Sequence, residues 1–163
     1  MATTDRLAAF EIVMEAQERR VIGVALRMLG RLEDAQDVAQ EVFLKLYKHF
    51  ERVEGSVEGW LYRTTINACW DLIKSRPRTT ELVVEPPAAD DPRREAQARQ
   101  EWGRVERALQ RLGERERAAL VLRDLEGLET REVARILGVQ EVTIRSQIAT
   151  VRIKLKRMLE GSL

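Results

Sequence analysis

All four prolines of this 163-residue chain, Pro77, Pro86, Pro87 and Pro92, fall within residues 75–94. Proline fixes φ and removes an amide donor, so such a segment continues neither a helix nor a central strand. Its middle is acidic, with Glu81, Glu85, Asp90 and Asp91. On either side the apolar residues recur with the helical period near 3.6, and strand-like alternation is absent. The expectation is an all-α protein: a helical module over 1–75, a flexible, extended acidic linker over 76–95, and a second helical module over 96–163.

Composition limits the chemistry. Charged residues make up 34% of the chain, but 28 Lys and Arg oppose 27 Asp and Glu, so any polyanion-binding surface must be local. With Cys69 and His49 as its only cysteine and histidine, the chain can form neither an internal disulfide nor a closed zinc site. No phosphate-cradling glycine loop or nucleophile elbow occurs, which points away from an enzyme and from any cofactor or metal. Cys69 reads as core and His49 as surface. Apolar runs such as "AALVL" are too short to span a bilayer, and "MATTDRLAAF" lacks the layout of a signal peptide, so a cytoplasmic protein without membrane insertion is expected.

Within the first module, Gly30 can close one helix, and Glu33 and Asp34 favour the positive end of the next. Over 33–50, Ala35, Val38, Ala39, Val42, Phe43, Leu46, Tyr47 and Phe50 share a buried arc. The outward side carries Glu33, Asp37, Gln40, Glu41 and Leu44. Acids repel DNA, so this face is either a solvated surface or a protein interface centred on Leu44. "VEGSVEG" (53–59) reads as a loop, and a further helix runs over 58–74. There Leu61, Tyr62, Thr65, Ile66, Cys69, Leu72 and Ile73 face inward, opposite a stripe of Arg63, Asn67, Trp70 and Lys74. That stripe suits a single nucleic-acid strand, by phosphate pairing and base stacking, or is a solvated face over which Trp70 folds back.

The second module begins with a stripe of Ala98, Trp102, Val105, Leu109 and Leu112, followed by a helix that Gly127 stops. Then "TREVARILGVQEVTIRSQIATVRIKL" places a short helix over 130–137, Gly138 as the positive-φ residue of a tight turn, and a longer helix from about Gln140. Thr130 is placed to cap the short helix with its hydroxyl. Ala134 is small where the helices approach, and Ile144, Ile148, Val151 and Leu155 define the buried side. Thr143, Arg145, Ser146, Gln147, Thr150, Arg152 and Lys156 face outward, residue types suited to base edges and phosphates. A helix-turn-helix accounts for these coincidences better than an ordinary helical hairpin.

"ALRMLGRLEDAQDVAQEVFLKLYKHF…GWLYRTTINACWDLIK" resembles region 2 of the bacterial extracytoplasmic-function sigma factors, of the sigma-70 family. "ALQRLGERERAALVLRDLEGLETREVARILGVQEVTIRSQI" resembles their region 4. The resemblance covers 10–159, and the order, the linker and the length all fit. It implies a subunit that binds core RNA polymerase and directs promoter-specific initiation. Asp34, Asp37, Gln40, Glu41 and Leu44 would dock on the clamp helices of the polymerase's largest subunit, and the flap is a second expected contact. Arg63, Asn67, Trp70 and Lys74 would meet the −10 element, with Gly55 and Ser56 in a loop that holds a flipped base during melting. Thr143, Arg145, Ser146, Gln147, Thr150 and Arg152 would read the −35 element. The linker would thread toward the active cleft, and an anti-sigma factor is a further expected partner.

The chain departs from the family pattern in several places. Val53 and Val57 stand where aromatics are usual, "KSRPR" is a thin basic run, and Gln147, Ala149 and Thr150 replace a more basic segment. Ile153 faces outward where the family tends to be polar. Two other readings remain open: a stand-alone helix-turn-helix regulator that dimerises through its first module, and a sigma-like interaction protein without initiation activity.

Overall fold

The computed structural model describes residues 3–76 and 91–161. Within them lie seven α-helices and no strand: α1 (Thr3–Leu29), α2 (Leu32–His49), α3 (Val57–Lys74), α4 (Pro92–Arg111), α5 (Glu114–Leu120), α6 (Thr130–Leu137) and α7 (Glu141–Leu159). A 3-10 turn, Phe50–Arg52, follows α2, and a π-helical segment, Val121–Leu125, continues α5. No described helix is long and apolar enough to cross a membrane. The expected linker lies largely outside the described residues.

Helices α1 to α3 pack on one another around Val24, Ala25, Met28, Val42, Leu46, Leu61, Ile66 and Cys69, all nearly inaccessible to solvent. Gly30, at φ 76°, turns the chain from α1 into α2, and its amide bonds Leu26 O at 2.7 Å. A side chain there would oppose the left-handed backbone. Near the start of α1, Phe10 packs edge-on against Tyr47, 5.2 Å between ring centroids.

The helix-turn-helix forms as the spacing predicts. Gly138 takes φ 69° and the amide of Val139 bonds Ala134 O at 3.0 Å. Val133, Ala134, Ile136, Ile144 and Ile148 are buried between α6 and α7, while Leu109, Leu112, Leu120 and Val151 make a second apolar group with α4 and α5.

Three local expectations need correction. Helix α4 begins at Pro92, inside the stretch read as linker, because proline at the first helical position loses no bond and Asp91 caps it by accepting from Arg93 N at 3.0 Å. Helix α3 begins at Val57, since the Ser56 hydroxyl accepts from Gly59 N at 2.9 Å and shortens the loop. Thr130 is the first residue of α6, not its cap; the cap position belongs to Glu129, which makes no side-chain capping bond.

The two halves share one core. The apolar cluster of α1 to α3 continues into Ala118, Ala119, Val121 and Leu122, and on into Val133, Ala134, Ile136, Ile144 and Ile148. The Arg117 side chain stitches them: it donates to the carbonyls of Leu109 (2.9 Å), Gln110 (3.2 Å), Leu112 (3.0 Å) and Met28, and to the Gln110 side-chain oxygen (3.1 Å). Gln110 in turn donates to Arg27 O at 2.9 Å, and the Arg27 guanidinium lies 4.9 Å over the Trp102 ring. Carbonyls at the ends of α1 and α4 carry the negative ends of the helix dipoles, so a buried cation suits this junction.

Candidate nucleic-acid and protein interfaces

The first candidate surface is the outward side of α2. Asp37, Gln40 and Glu41 are exposed, and Leu44 is 56% exposed among them. Glu41 pairs with Lys45 at 3.0 Å along the same helix, an exposed pair of small energetic weight. Asp34 stands apart from this group. It is only 8% exposed, and both its oxygens accept from Arg76, two residues beyond the end of α3. The hydrogen bond to Arg76 holds the Asp34 carboxyl below the usual carboxylate range, against the opposing effect of burial. Asp34 thus fastens α2 to α3 and presents little charge outward, while Asp37, Glu41 and Asp71 line a groove around the pair.

The second surface is the α3 stripe. Arg63, Asn67 and Lys74 are exposed along one side of α3, with Trp70 half-buried between them. Gly55, at φ 76°, and Ser56 sit at the mouth of a cleft that also includes Trp60, Arg63, Glu132 and Arg135. Part of this stripe is covered by the second half of the chain. Arg63 donates to Arg135 O at 3.2 Å, and the Trp70 indole donates to Glu114 O at 3.3 Å beneath the Arg115 guanidinium, 5.1 Å from the ring. On the neighbouring face, the Tyr62 hydroxyl donates to Glu126 at 3.0 Å. Burial, then the charge of Glu126, pushes the Tyr62 phenol upward, so it stays a donor. Trp70 does fold over neighbours, but those neighbours come from α5, which periodicity within α3 could not show.

The third surface is α7. Thr143, Arg145, Ser146 and Thr150 are exposed on its outer side, whereas Gln147 is half-buried at the flank. Arg152 is exposed but forms a bidentate pair with Asp124, its Nε donating at 2.9 Å. That hydrogen bond holds the Asp124 carboxyl below its ordinary range. Lys154 is similarly engaged with Glu116 at 2.9 Å. The outer side also carries Val142 and Ile153, 58% and 54% exposed. Val142 is not among the outward residues expected from the sequence, which are polar apart from Ile153; its spacing of eleven residues from Ile153 is the signal that places it there.

Burial pushes the Cys69 thiol up to about 12, which suits an inert core cysteine. No group of acidic, His and Cys side chains able to hold a metal is found among the described residues.

Two family models match the chain: Sigma-70 region 2 over residues 13–79 and Sigma-70, region 4 over residues 102–155. The ECF RNA polymerase sigma factor SigM of Mycobacterium tuberculosis is 35% identical over 156 residues, covering 93% of this chain and 77% of that protein. ECF RNA polymerase sigma factor SigE of Mycolicibacterium smegmatis is 33% identical over 167 residues, and the match covers 97% of this chain but 65% of the SigE length. The sigma factor RpoE of Bartonella quintana, solved in complex with the anti-sigma factor NepR, shares the fold with a TM-score of 0.77 at 18% identity, over 93% of this chain and 97% of that one.

Proposed function

This chain belongs to the extracytoplasmic-function RNA polymerase sigma factors of the sigma-70 family, non-enzymatic factors that direct transcription initiation, and from that premise we propose how its surfaces divide the work. In the cytoplasm, the outward side of α2, with Asp37, Gln40, Glu41 and Leu44, docks on the clamp helices of the largest subunit of core polymerase. An apolar centre ringed by acids is the arrangement that steers toward and then grips a basic protein surface. Asp34 supports this face from below through Arg76. The flap is a second contact on core polymerase.

The α3 stripe takes the melted −10 strand, with Asn67 supplying hydrogen bonds, Arg63 and Lys74 phosphate contacts, Trp70 a stacking surface, and the turn at Gly55 and Ser56 the seat of a flipped base. Helix α7 enters the major groove of the −35 element with Thr143, Arg145, Ser146 and Thr150, while Gln147 and Arg152 work from its flanks. The observation that carries this division is the separation of charge: acids collect on the α2 face, while cations and amides line α3 and α7.

Because Arg63 and Trp70 are bonded to α5 and α6, the two halves must part before the stripe can hold DNA. The covered form is the resting one, and an anti-sigma factor, as found with the Bartonella relative, would hold it closed.

Reconstitution with core polymerase and run-off transcription on a genomic promoter library tests the whole scheme. Specific initiation is expected from the wild type. Glu41→Lys should lose core binding, and Asn67→Ala should keep core binding but lose opening. Absence of specific transcripts with folded protein, or loss of core binding in Asn67→Ala, would overturn it.

A further inference from the structure

Val142, Ala149 and Ile153 fall on one line along α7. At 3.6 residues per turn, positions 142 and 153 differ by roughly 20° around the helix axis and lie about 16 Å apart along it. Ala149 sits between them, and the line runs opposite the buried residues Ile144, Ile148 and Val151. All three side chains are exposed, Val142 and Ile153 by more than half. The flanks are of another kind: Arg145 and Lys156 on one side, Thr143, Thr150 and Arg157 on the other, all exposed. Among the described residues no ion-pair partner is found for Arg145, Lys156 or Arg157, whereas Arg152 and Lys154 are neutralised by Asp124 and Glu116.

An apolar line one residue wide, bordered by cations and hydroxyls, is too narrow for the core of a protein interface, which needs a broad desolvated patch. It does match the one apolar feature of the major groove, the thymine 5-methyl group. Its length spans about five base steps at 3.4 Å each. The bordering cations then fall toward the two phosphate backbones, which gives the complementary charge.

We infer that α7 discriminates its duplex by methyl contact: Val142, Ala149 and Ile153 form an apolar rail that selects thymines in the −35 element. This rests on the reading of α7 as the major-groove helix and deepens it. Removing one buried methyl should weaken binding about fourfold, the equivalent of one lost methylene-sized contact.

The experiment uses the full chain assembled with core polymerase. Duplexes enriched from a library randomised at the −35 position are resynthesised with deoxyuridine replacing thymidine one site at a time, which removes the methyl and keeps the pairing. The expected result is about fourfold weaker binding at two or three of these sites. Val142→Ser and Ile153→Ser should each abolish the uracil effect at one site and keep it at the others. Undiminished binding at every uracil site would overturn the inference, as would variants as sensitive as the wild type. Failure to enrich any duplex would instead sink the major-groove reading on which it rests, so the two failures are distinct.

Discussion

The Arg117 guanidinium, carried by α5, donates to the main-chain carbonyl of Met28 in α1, 89 positions away in sequence. The same side chain satisfies the carbonyls of Leu109 and Leu112 at the end of α4. Burial holds the Arg117 pKa below the usual guanidinium value, yet the group stays charged because free arginine titrates far above neutrality. One cation therefore gathers two helix ends into a single junction between the halves of the molecule.

Arg117→Met should destabilise the folded chain by about 3–5 kcal/mol, because it strands several buried carbonyls at once. Arg117→Lys should recover little, since a point charge cannot reproduce the planar set of donors. Urea denaturation monitored by circular dichroism measures both variants. A loss below 1 kcal/mol in Arg117→Met would mean that water replaces the guanidinium and that the junction is loose.

Glu106 lies on α4 facing the same junction. It is 2% exposed and neither of its oxygens has a hydrogen-bond partner among the described residues. Burial pushes its carboxyl up to about 7, with the charges of Arg27 and Arg117 pulling in the other direction. A folded pKa above the unfolded value of about 4.3 means that stability is fully present below that unfolded value and declines as pH rises through 7. Glu106→Gln should therefore match the wild type at pH 4 and be the more stable protein at pH 8, by on the order of 2 kcal/mol. Thermal melts of both proteins across that range check it, and parallel pH profiles would refute it.

Neither Arg117 nor Glu106 was legible in the sequence. Within "ERERAAL" an arginine reads as one more surface charge, and its partners come from helices that periodicity cannot bring together. Glu106 lies beside the stripe of Val105 and Leu109, yet its environment is set first by burial at the junction, which Arg27 of α1 and Arg117 of α5 oppose. What was legible is local. The arcs of α2 and α3 repeat within one helix, and Gly138 announces its own turn. Asp34 shows the boundary between these cases. Its place in the first turn of α2 was readable, but its pairing with Arg76 depends on how α3 returns against α2. Sequence thus located the three candidate surfaces but could not show that α5 and α6 cover one of them.

The Asp34–Arg76 pair predicts the opposite pH response to Glu106. The Asp34 carboxyl is depressed in the folded state, chiefly by the hydrogen bond from Arg76, so its contribution is present above the unfolded value near 3.9 and fades as pH falls through the folded value. Asp34→Asn should cost about 2 kcal/mol at pH 7. The gap from wild type should narrow below pH 4. Chemical denaturation at pH 7 and pH 3 measures this, and a gap independent of pH would assign the loss to packing.

Cys69 offers a reporter of integrity in the core of the first half. Its thiol is buried and its pKa is raised to about 12, so a thiol-reactive dye at pH 8 should leave the native protein essentially unlabelled. Arg117 is among the charges that act on this thiol. Loosening the junction with Arg117→Met should accelerate labelling about a hundredfold or more, in step with its loss of stability at roughly tenfold per 1.4 kcal/mol. Rapid labelling of the wild type would show that the core opens readily without any partner.

The covered α3 stripe predicts a gain of binding from a change made outside it. Trp70 is held to Glu114, and Arg63 to Arg135, but the junction behind them depends on Gln110, which donates to Arg27 O and accepts from Arg117. Gln110→Ala removes both bonds and leaves every α3 side chain in place. If closure restrains the stripe, this variant should bind a fluorescent single-stranded oligonucleotide severalfold more tightly than the wild type. The effect should be measured by polarisation at one fixed salt concentration, because phosphate contacts depend on ionic strength. Adding Asn67→Ala to Gln110→Ala should abolish the gain, which separates binding at the stripe from binding elsewhere. Unchanged affinity in a folded Gln110→Ala protein would mean that the two halves part without hindrance, and that their contact does not control access to the strand.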